Sequence, residues 1–123
     1  HGAQALAQAL ESFFTFDEVV LVFSTLEGKD ARGILAPLVP HVTRIIVTGV
    51  DSPRASSVDE LMRIASEVAG AANVEVIPDS SAAVAKARAL VADSERGAVL
   101  VAGSIVLVGE VMAEAAHTKG WTK

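Results

Sequence analysis

Gly28-Lys29-Asp30 is the first group in the sequence whose residue types could do chemistry. It stands just ahead of Ile34, Leu35, Leu38 and Val39, whose spacing predicts a helix. Amides at a helix start attract anions, and a lysine there adds a full positive charge for a phosphate or carboxylate. The same residues also read as an ordinary helix start, with Asp30 as the cap and Lys29 solvated. They are not a P-loop, because Phe23 precedes Gly28 by five and Asp30 follows Lys29 where Ser or Thr is needed. A second group is Ser52-Pro53-Arg54-Ala55, in which a guanidinium beside a rigid proline could clamp an oxyanion in bidentate fashion. Its bland alternative is a surface turn with Arg54 paired to Asp51 or Asp59. A third is Gly103-Ser104, where glycine permits close backbone approach and serine offers a hydroxyl or an N-cap. No histidine has an evident position to activate Ser104, and no G-x-S-x-G or G-x-G-x-x-G pattern is present. His1, His41 and His117 lack metal-ligand spacing and read as surface residues, and the carboxylates are too scattered to nominate an acid/base pair.

These groups need a scaffold, and the chain has the material for one. It has 123 residues, 51% of them hydrophobic and 20% charged, which suits a single folded domain, 1–123, and not disorder. The formal net charge of −5 argues against broad contact with a nucleic-acid backbone. With no cysteine there is no disulfide framework and no thiolate metal site. Apolar runs such as 19–23 and 99–102 are far shorter than the roughly 20 residues that span a bilayer, and the first residues lack the form of a secretory signal. A soluble, cytoplasmic protein is the expectation. Opening on His1, without an initiator methionine, the chain is expected to be a piece of something longer.

The hydrophobic period alternates between two kinds of segment. Ala3, Leu6, Ala7, Leu10, Phe13 and Phe14 fall at helical spacing; 18–24 (EVVLVFS) is a buried strand; a helix over Ile34 to Val39 ends near Pro40; and 44–48 (RIIVT) is a second strand. Ser57 and Glu60 form a capping-box pattern for a helix carrying Leu61, Ile64, Ala65 and Val68, closed by Gly70. A third strand lies within 73–78. Asp79 or Ser80 caps a helix with Val84, Ala87, Leu90 and Val91 inward, and strand 98–102 leads through Gly103 into a final helix to about residue 116. Short, uniformly apolar strands separated by helices predict an α/β, three-layer Rossmann-like domain with a mostly parallel sheet. Ligands in such sheets collect beyond the carboxyl ends of the strands, which makes 24–30, 49–56, 78–81 and 103–104 the loops of interest.

Taken in order, those loops resemble the C-terminal domain of the folylpolyglutamate synthase/dihydrofolate synthase family, in the Mur ligase superfamily. HGAQALAQAL is similar to the stretch after the family's D-G-A-H-N-P motif, and VFSTLEGKDARGIL to its strand, Lys-Asp loop and helix. VTGVDSPRASSVDEL is similar to its strand and Ser-Pro-Arg-Ala loop, and VAGSIVLVGEVM to its T-G-S-x-x-x-V-G-E segment. The resemblance implies an ATP-dependent ligase that phosphorylates a folate or pteroate carboxylate. The amine of L-glutamate then attacks the acyl phosphate, with magnesium offsetting charge. It also implies that Lys29 and Asp30 line an interdomain cleft in catalytic roles, that Ser104 with Gly103 contacts glutamate, and that Arg54 serves the same cleft. The P-loop domain and the strand that opens the family's domain are expected to lie outside this chain, leaving a sheet edge open to a partner, and the chain alone is expected to be inactive. Some positions depart from the family pattern. Ser24 and Thr25 stand where Gly-Val is more typical, Val106 where an aromatic or histidine is common, and Leu107 where threonine is frequent. A freestanding flavodoxin-like or receiver-like module is the competing reading. It lacks the acidic pair and phosphoryl-accepting aspartate of a receiver, and aromatics are only 4% of the chain.

Overall fold

Four apolar runs of the sequence become four parallel strands in the computed structural model, which describes residues 3–5, 7, 8, 17–103 and 107. β1 is Glu18–Phe23, β2 Arg44–Val47, β3 Val74–Val76 and β4 Gly97–Ala102, and the sheet order is β3-β2-β1-β4. The connecting helices are α1 (Ala31–Leu38), α2 (Val58–Ala69) and α3 (Ser80–Val91). Each β–helix–β connection returns a parallel strand, so α1 and α2 cover one face and α3 the other. This is the expected three-layer α/β architecture.

The two faces of β1 separate into two cores by the two-residue period of a strand. Leu21 and Phe23 meet Leu35 and Leu38 of α1, Leu61 and Ala65 of α2, and the helical residues Ala3 and Ala7. Val20 and Val22 meet Ile46, Ala83, Val84, Ala87 and Leu107. Phe23, Leu21, Leu35, Ile45, Ile46 and Leu61 are essentially sealed from water. Burial of each stabilises the fold by roughly 1.5–3 kcal/mol before entropy is counted.

Local signals set the helix ends. Asp30, Ser57 and Asp79 each accept from a first-turn amide, those of Gly33 (3.0 Å), Glu60 (3.0 Å) and Ala82 (2.9 Å). The capping box expected at Ser57 forms only in half. The Glu60 carboxylate turns to Arg63 at 2.7 Å instead of reaching back to the cap. Arg63 also reaches Glu67 at 2.9 Å, and Glu67 takes Arg32 from α1, which ties the two helices across solvent. The Ile34 to Val39 helix begins earlier than its apolar stripe, at Ala31, and gives way to a 3-10 turn over Val39–His41 that contains Pro40.

β4 differs from expectation in environment. Its sequence, GAVLVA, reads as a strand buried on both faces, yet all six residues are half-exposed. The reason is position: β4 stands at the end of the sheet, paired only with β1 among the described residues. Leu90 and Val91 are likewise half-buried, packed against the second core from its rim. The expected helical stretch through Leu6, Leu10, Phe13 and Phe14 and the final helix after Gly103 fall largely outside the described residues.

Candidate functional site

All four strands point their carboxyl ends the same way, so four loops gather along one edge of the sheet. The chain leaves β1 toward β2 on one side, while β4 lies on the other. The crevice of such a sheet opens where neighbouring strands lead away in opposite directions, here between β1 and β4.

The loops after β1 and β2 are joined into a short antiparallel ladder. Leu26 and Ala55 form the bridge, the Glu27 amide donates to the Arg54 carbonyl at 2.7 Å, and the Ser56 amide donates to the Thr25 carbonyl at 3.0 Å. Beneath it, the hydroxyls of Thr25 and Ser56 are 3.1 Å apart. Lys29 and Arg54, which sequence spacing alone leaves unrelated, are thereby carried by one backbone unit. A turn aims Lys29: its amide donates to the Leu26 carbonyl at 3.3 Å, and Gly28 takes φ 87° at the third turn position, where a side chain is strained. Both cations are exposed, and among the described residues neither takes part in an ion pair. The backbone of Arg54 is fixed locally, its amide donating to the Ser52 hydroxyl at 3.1 Å. Asp30 does cap α1, with one carboxylate oxygen on the Gly33 amide, and it stays exposed beside Lys29. Any chemical role for Asp30 has to be compatible with that bond.

At the crevice itself, Gly103 takes φ 105° and passes directly over the end of β1. A Cβ there would stand 2.2 Å from the Ser24 carbonyl oxygen and 2.7 Å from the Phe23 ring. Ser104, the expected glutamate contact, lies outside the described residues, as do His1, Val106 and His117. On the far side of β1, the Thr48 hydroxyl and the Gly49 amide both donate to the Pro78 carbonyl, at 3.3 and 3.0 Å, which holds the ends of β2 and β3 together. Of the buried hydroxyls at this edge, Ser24 and Thr25 stood out in the sequence only as departures from a more typical Gly-Val, and Thr48 carried no signal of its own.

The electrostatics are local. Glu27, Asp30 and Asp51 lie in the same exposed loops as the two cations, so this edge carries charges of both signs and not a broad positive field. An anion would be bound by particular donors: the Lys29 ammonium, the Arg54 guanidinium and backbone amides. The carboxylate holes of a metal site are not assembled here, since among the described residues no three His, Cys, Asp or Glu side chains converge. No helix among those residues is long and apolar enough to cross a membrane.

Comparison with known proteins agrees with this geometry. Residues 1–105 match the model of the Mur ligase glutamate ligase domain. A dihydrofolate synthase/folylpolyglutamate synthase of Mycobacterium tuberculosis is 36% identical over 119 residues, covering 88% of this chain and 24% of that protein. The crystal structure of the Mycobacterium tuberculosis folylpolyglutamate synthase complexed with ADP and AMPPCP superimposes with a TM-score of 0.84 at 37% identity, covering 92% of this chain and 27% of that one. The folylpolyglutamate synthase of Thermotoga maritima gives a TM-score of 0.68 at 30% identity, over 100% of this chain and 28% of that one. The chain thus spans about a quarter of the length of the relatives it matches.

Proposed function

The chain belongs to the Mur ligase glutamate ligase domain family, and from that premise we propose that it is the glutamate-ligase domain of an ATP-dependent enzyme that joins L-glutamate to a folate or dihydropteroate carboxylate. The observation that carries this reading is the ladder joining the loops after β1 and β2, which holds Lys29 and Arg54 on one backbone unit at the carboxyl edge of the sheet.

Amide formation through an acyl phosphate accumulates negative charge on the phosphorylated carboxylate and on the leaving phosphate. Fixed cations and oriented amides lower the barrier to such a step. Lys29 supplies a compact charge on a turn that limits its reach, and Arg54 supplies a planar pair of donors suited to a carboxylate. Asp30 caps α1 and adds a negative charge next to Lys29 in the chain. Gly103 lets the backbone of β4 close onto Ser24, and Ser104 beyond it offers a hydroxyl to the amino-acid substrate.

ATP supplies the phosphoryl group in such a reaction. The residues of this chain fit one side of a nucleotide site only. They offer cations and a glycine turn, but there is no Gly-x-x-x-x-Gly-Lys-Ser/Thr loop to cradle the phosphates. The cradle, and the ligands of magnesium, therefore belong to another domain of the enzyme, which this domain faces across a cleft. A cytoplasmic setting, where ATP and folates are available, suits a chain without cysteine.

Glutamate-dependent release of phosphate from ATP, measured on the full-length ligase containing this chain with dihydropteroate or a reduced folate as acceptor, tests the reading. Turnover is expected with both substrates present. Phosphate release that ignores glutamate overturns it.

A further inference from the structure

Two loops that leave different strands are locked to each other at the carboxyl edge, and the lock has a part that the sheet does not need. β1 and β2 are already in register up to Phe23 and Val47, and the Thr48 amide donates to the Phe23 carbonyl at 2.9 Å. Beyond that point Thr25 and Ser56 are joined twice. The Ser56 amide donates to the Thr25 carbonyl at 3.0 Å, and the two hydroxyls, either of which could donate, are 3.1 Å apart. Thr25 is 1% exposed and Ser56 is half-buried, so the hydroxyl pair is largely shielded from water.

Shielding matters because the rest of the ladder is short. The Leu26–Ala55 bridge and the bond from the Glu27 amide to the Arg54 carbonyl carry it outward to exposed residues. A two-stranded pair of that size is marginal in water, where solvent competes for each bond. A hydrogen bond in a drier place is stronger, which makes the hydroxyl pair the fixed end of the ladder. From that end the chain runs to both cations. Lys29 is tied back to Leu26 through its amide, and Arg54 stands two residues before Ser56. Valine, the more typical residue at position 25, would fill the same space and leave the loops joined by backbone bonds alone.

We propose that Thr25 is a positioning residue of the ligase: through its bond to Ser56 it sets the separation of Lys29 and Arg54, so that one anionic group of the reacting substrates meets both. This rests on the ligase reading above. Thr25 is sealed and touches no substrate. It acts by keeping the two loops from spreading.

The test compares Thr25→Val with Thr25→Ser in the full-length ligase. Valine keeps the packing and loses the hydroxyl bond; serine keeps the hydroxyl and loses a buried methyl. Both are expected to lower the unfolding temperature of the chain by a few degrees, so stability does not separate them. Activity does. In Thr25→Val, kcat/KM for L-glutamate is expected to fall about fivefold, the equivalent of one hydrogen bond, and in Thr25→Ser to stay within a factor of about two of the parent. In a Lys29→Ala background, Thr25→Val is expected to cost less than a factor of about two, because no pair of cations remains to be positioned. Full activity in Thr25→Val overturns the assignment, as does an equal loss in Thr25→Ser, and both leave the ligase reading in place. An undiminished loss in the Lys29→Ala background overturns it too, since a structural defect lowers activity whichever cation is present. A parent enzyme without glutamate-dependent turnover overturns both readings.

Discussion

Gly103 crosses the end of β1 so closely that a Cβ on it would stand 2.2 Å from the Ser24 carbonyl oxygen. Two constraints meet at this residue. Its φ of 105° is strained for any side chain, and the atom a side chain would strike is backbone, which cannot turn away. Strand β4 can therefore reach its full pairing with β1, through Phe23 and Ala102, only if the next residue is glycine.

Gly103→Ala is accordingly expected to destabilise the chain by about 2–4 kcal/mol, combining an incompatible φ with overpacking. The unfolding temperature of the purified chain should fall by many degrees, and amide exchange should accelerate first in β4 and at Ser24. A variant as stable as the parent would show that the β1–β4 crevice is wider than described.

Asp30 offers a cleaner separation of folding from function. Asparagine caps a helix as well as aspartate but carries no charge. Asp30→Asn should leave stability within a few tenths of a kcal/mol, whereas Asp30→Ala should cost about 1 kcal/mol. If Asp30 orients Lys29 in the ligase, both variants lose activity; if it only caps, Asp30→Asn keeps it. Gly33 adds a coupled test, because a Cβ there would stand 2.1 Å from the Asp30 carboxylate. Gly33→Ala should gain up to about 1 kcal/mol of helix propensity in the Asp30→Ala background and little or none beside an intact cap.

The layered α/β fold could be read from the sequence because its strands are unbroken runs such as VVLVF and RIIV, and its helices carry Ser57, Asp79 and Gly70 at their ends. Strand order was not legible in the same way, since nothing in GAVLVA distinguishes an edge strand from a central one. The positions of Lys29, Gly103 and Arg54 at strand ends followed from the pattern, but their relation did not. The ladder between the loops is made by backbone groups of Glu27, Arg54, Thr25 and Ser56, which any residue types could supply. Ser24 was least visible of all. A serine after a strand looks like loop; Ser24 stood out in the sequence only as a departure from Gly-Val, and its burial without a hydrogen-bond partner among the described residues is visible only in the fold.

Acid should weaken the fold through its exposed carboxylates. The Ser81 hydroxyl, and after it the Ala82 amide, hold Asp79 below the ordinary carboxylate range, and Glu67 is held down chiefly by Arg32. A folded-state pKa lower than the unfolded one gives stability that is present above the unfolded value, about 4, and is lost as pH falls through the folded value. Unfolding temperature should thus be flat from neutrality to about pH 5 and decline below about 4. Asp79→Asn, which caps without titrating, should shallow that decline. High salt should reduce the part due to Arg32–Glu67, an exposed pair, and spare the part due to the cap. A decline that Asp79→Asn leaves unaltered would assign acid sensitivity elsewhere.

Lys29 and Arg54 should behave in the ligase as one unit, because the Leu26–Ala55 bridge gives them a common support. Lys29→Ala and Arg54→Ala are each expected to lower kcat/KM by about 10- to 100-fold, the range for losing a charge-assisted contact to an anion. Neither should alter unfolding temperature measurably, since both side chains are exposed and outside any ion pair among the described residues. If both act on one ligand, the double variant should lose less than the product of the single losses, with a coupling of about 0.5–3 kcal/mol. Ser56→Pro removes the amide that donates to Thr25 and should shrink that coupling without touching either charge. Multiplicative losses in the double variant would instead mean that the two cations serve separate ligands, and that the ladder between their loops is only structural.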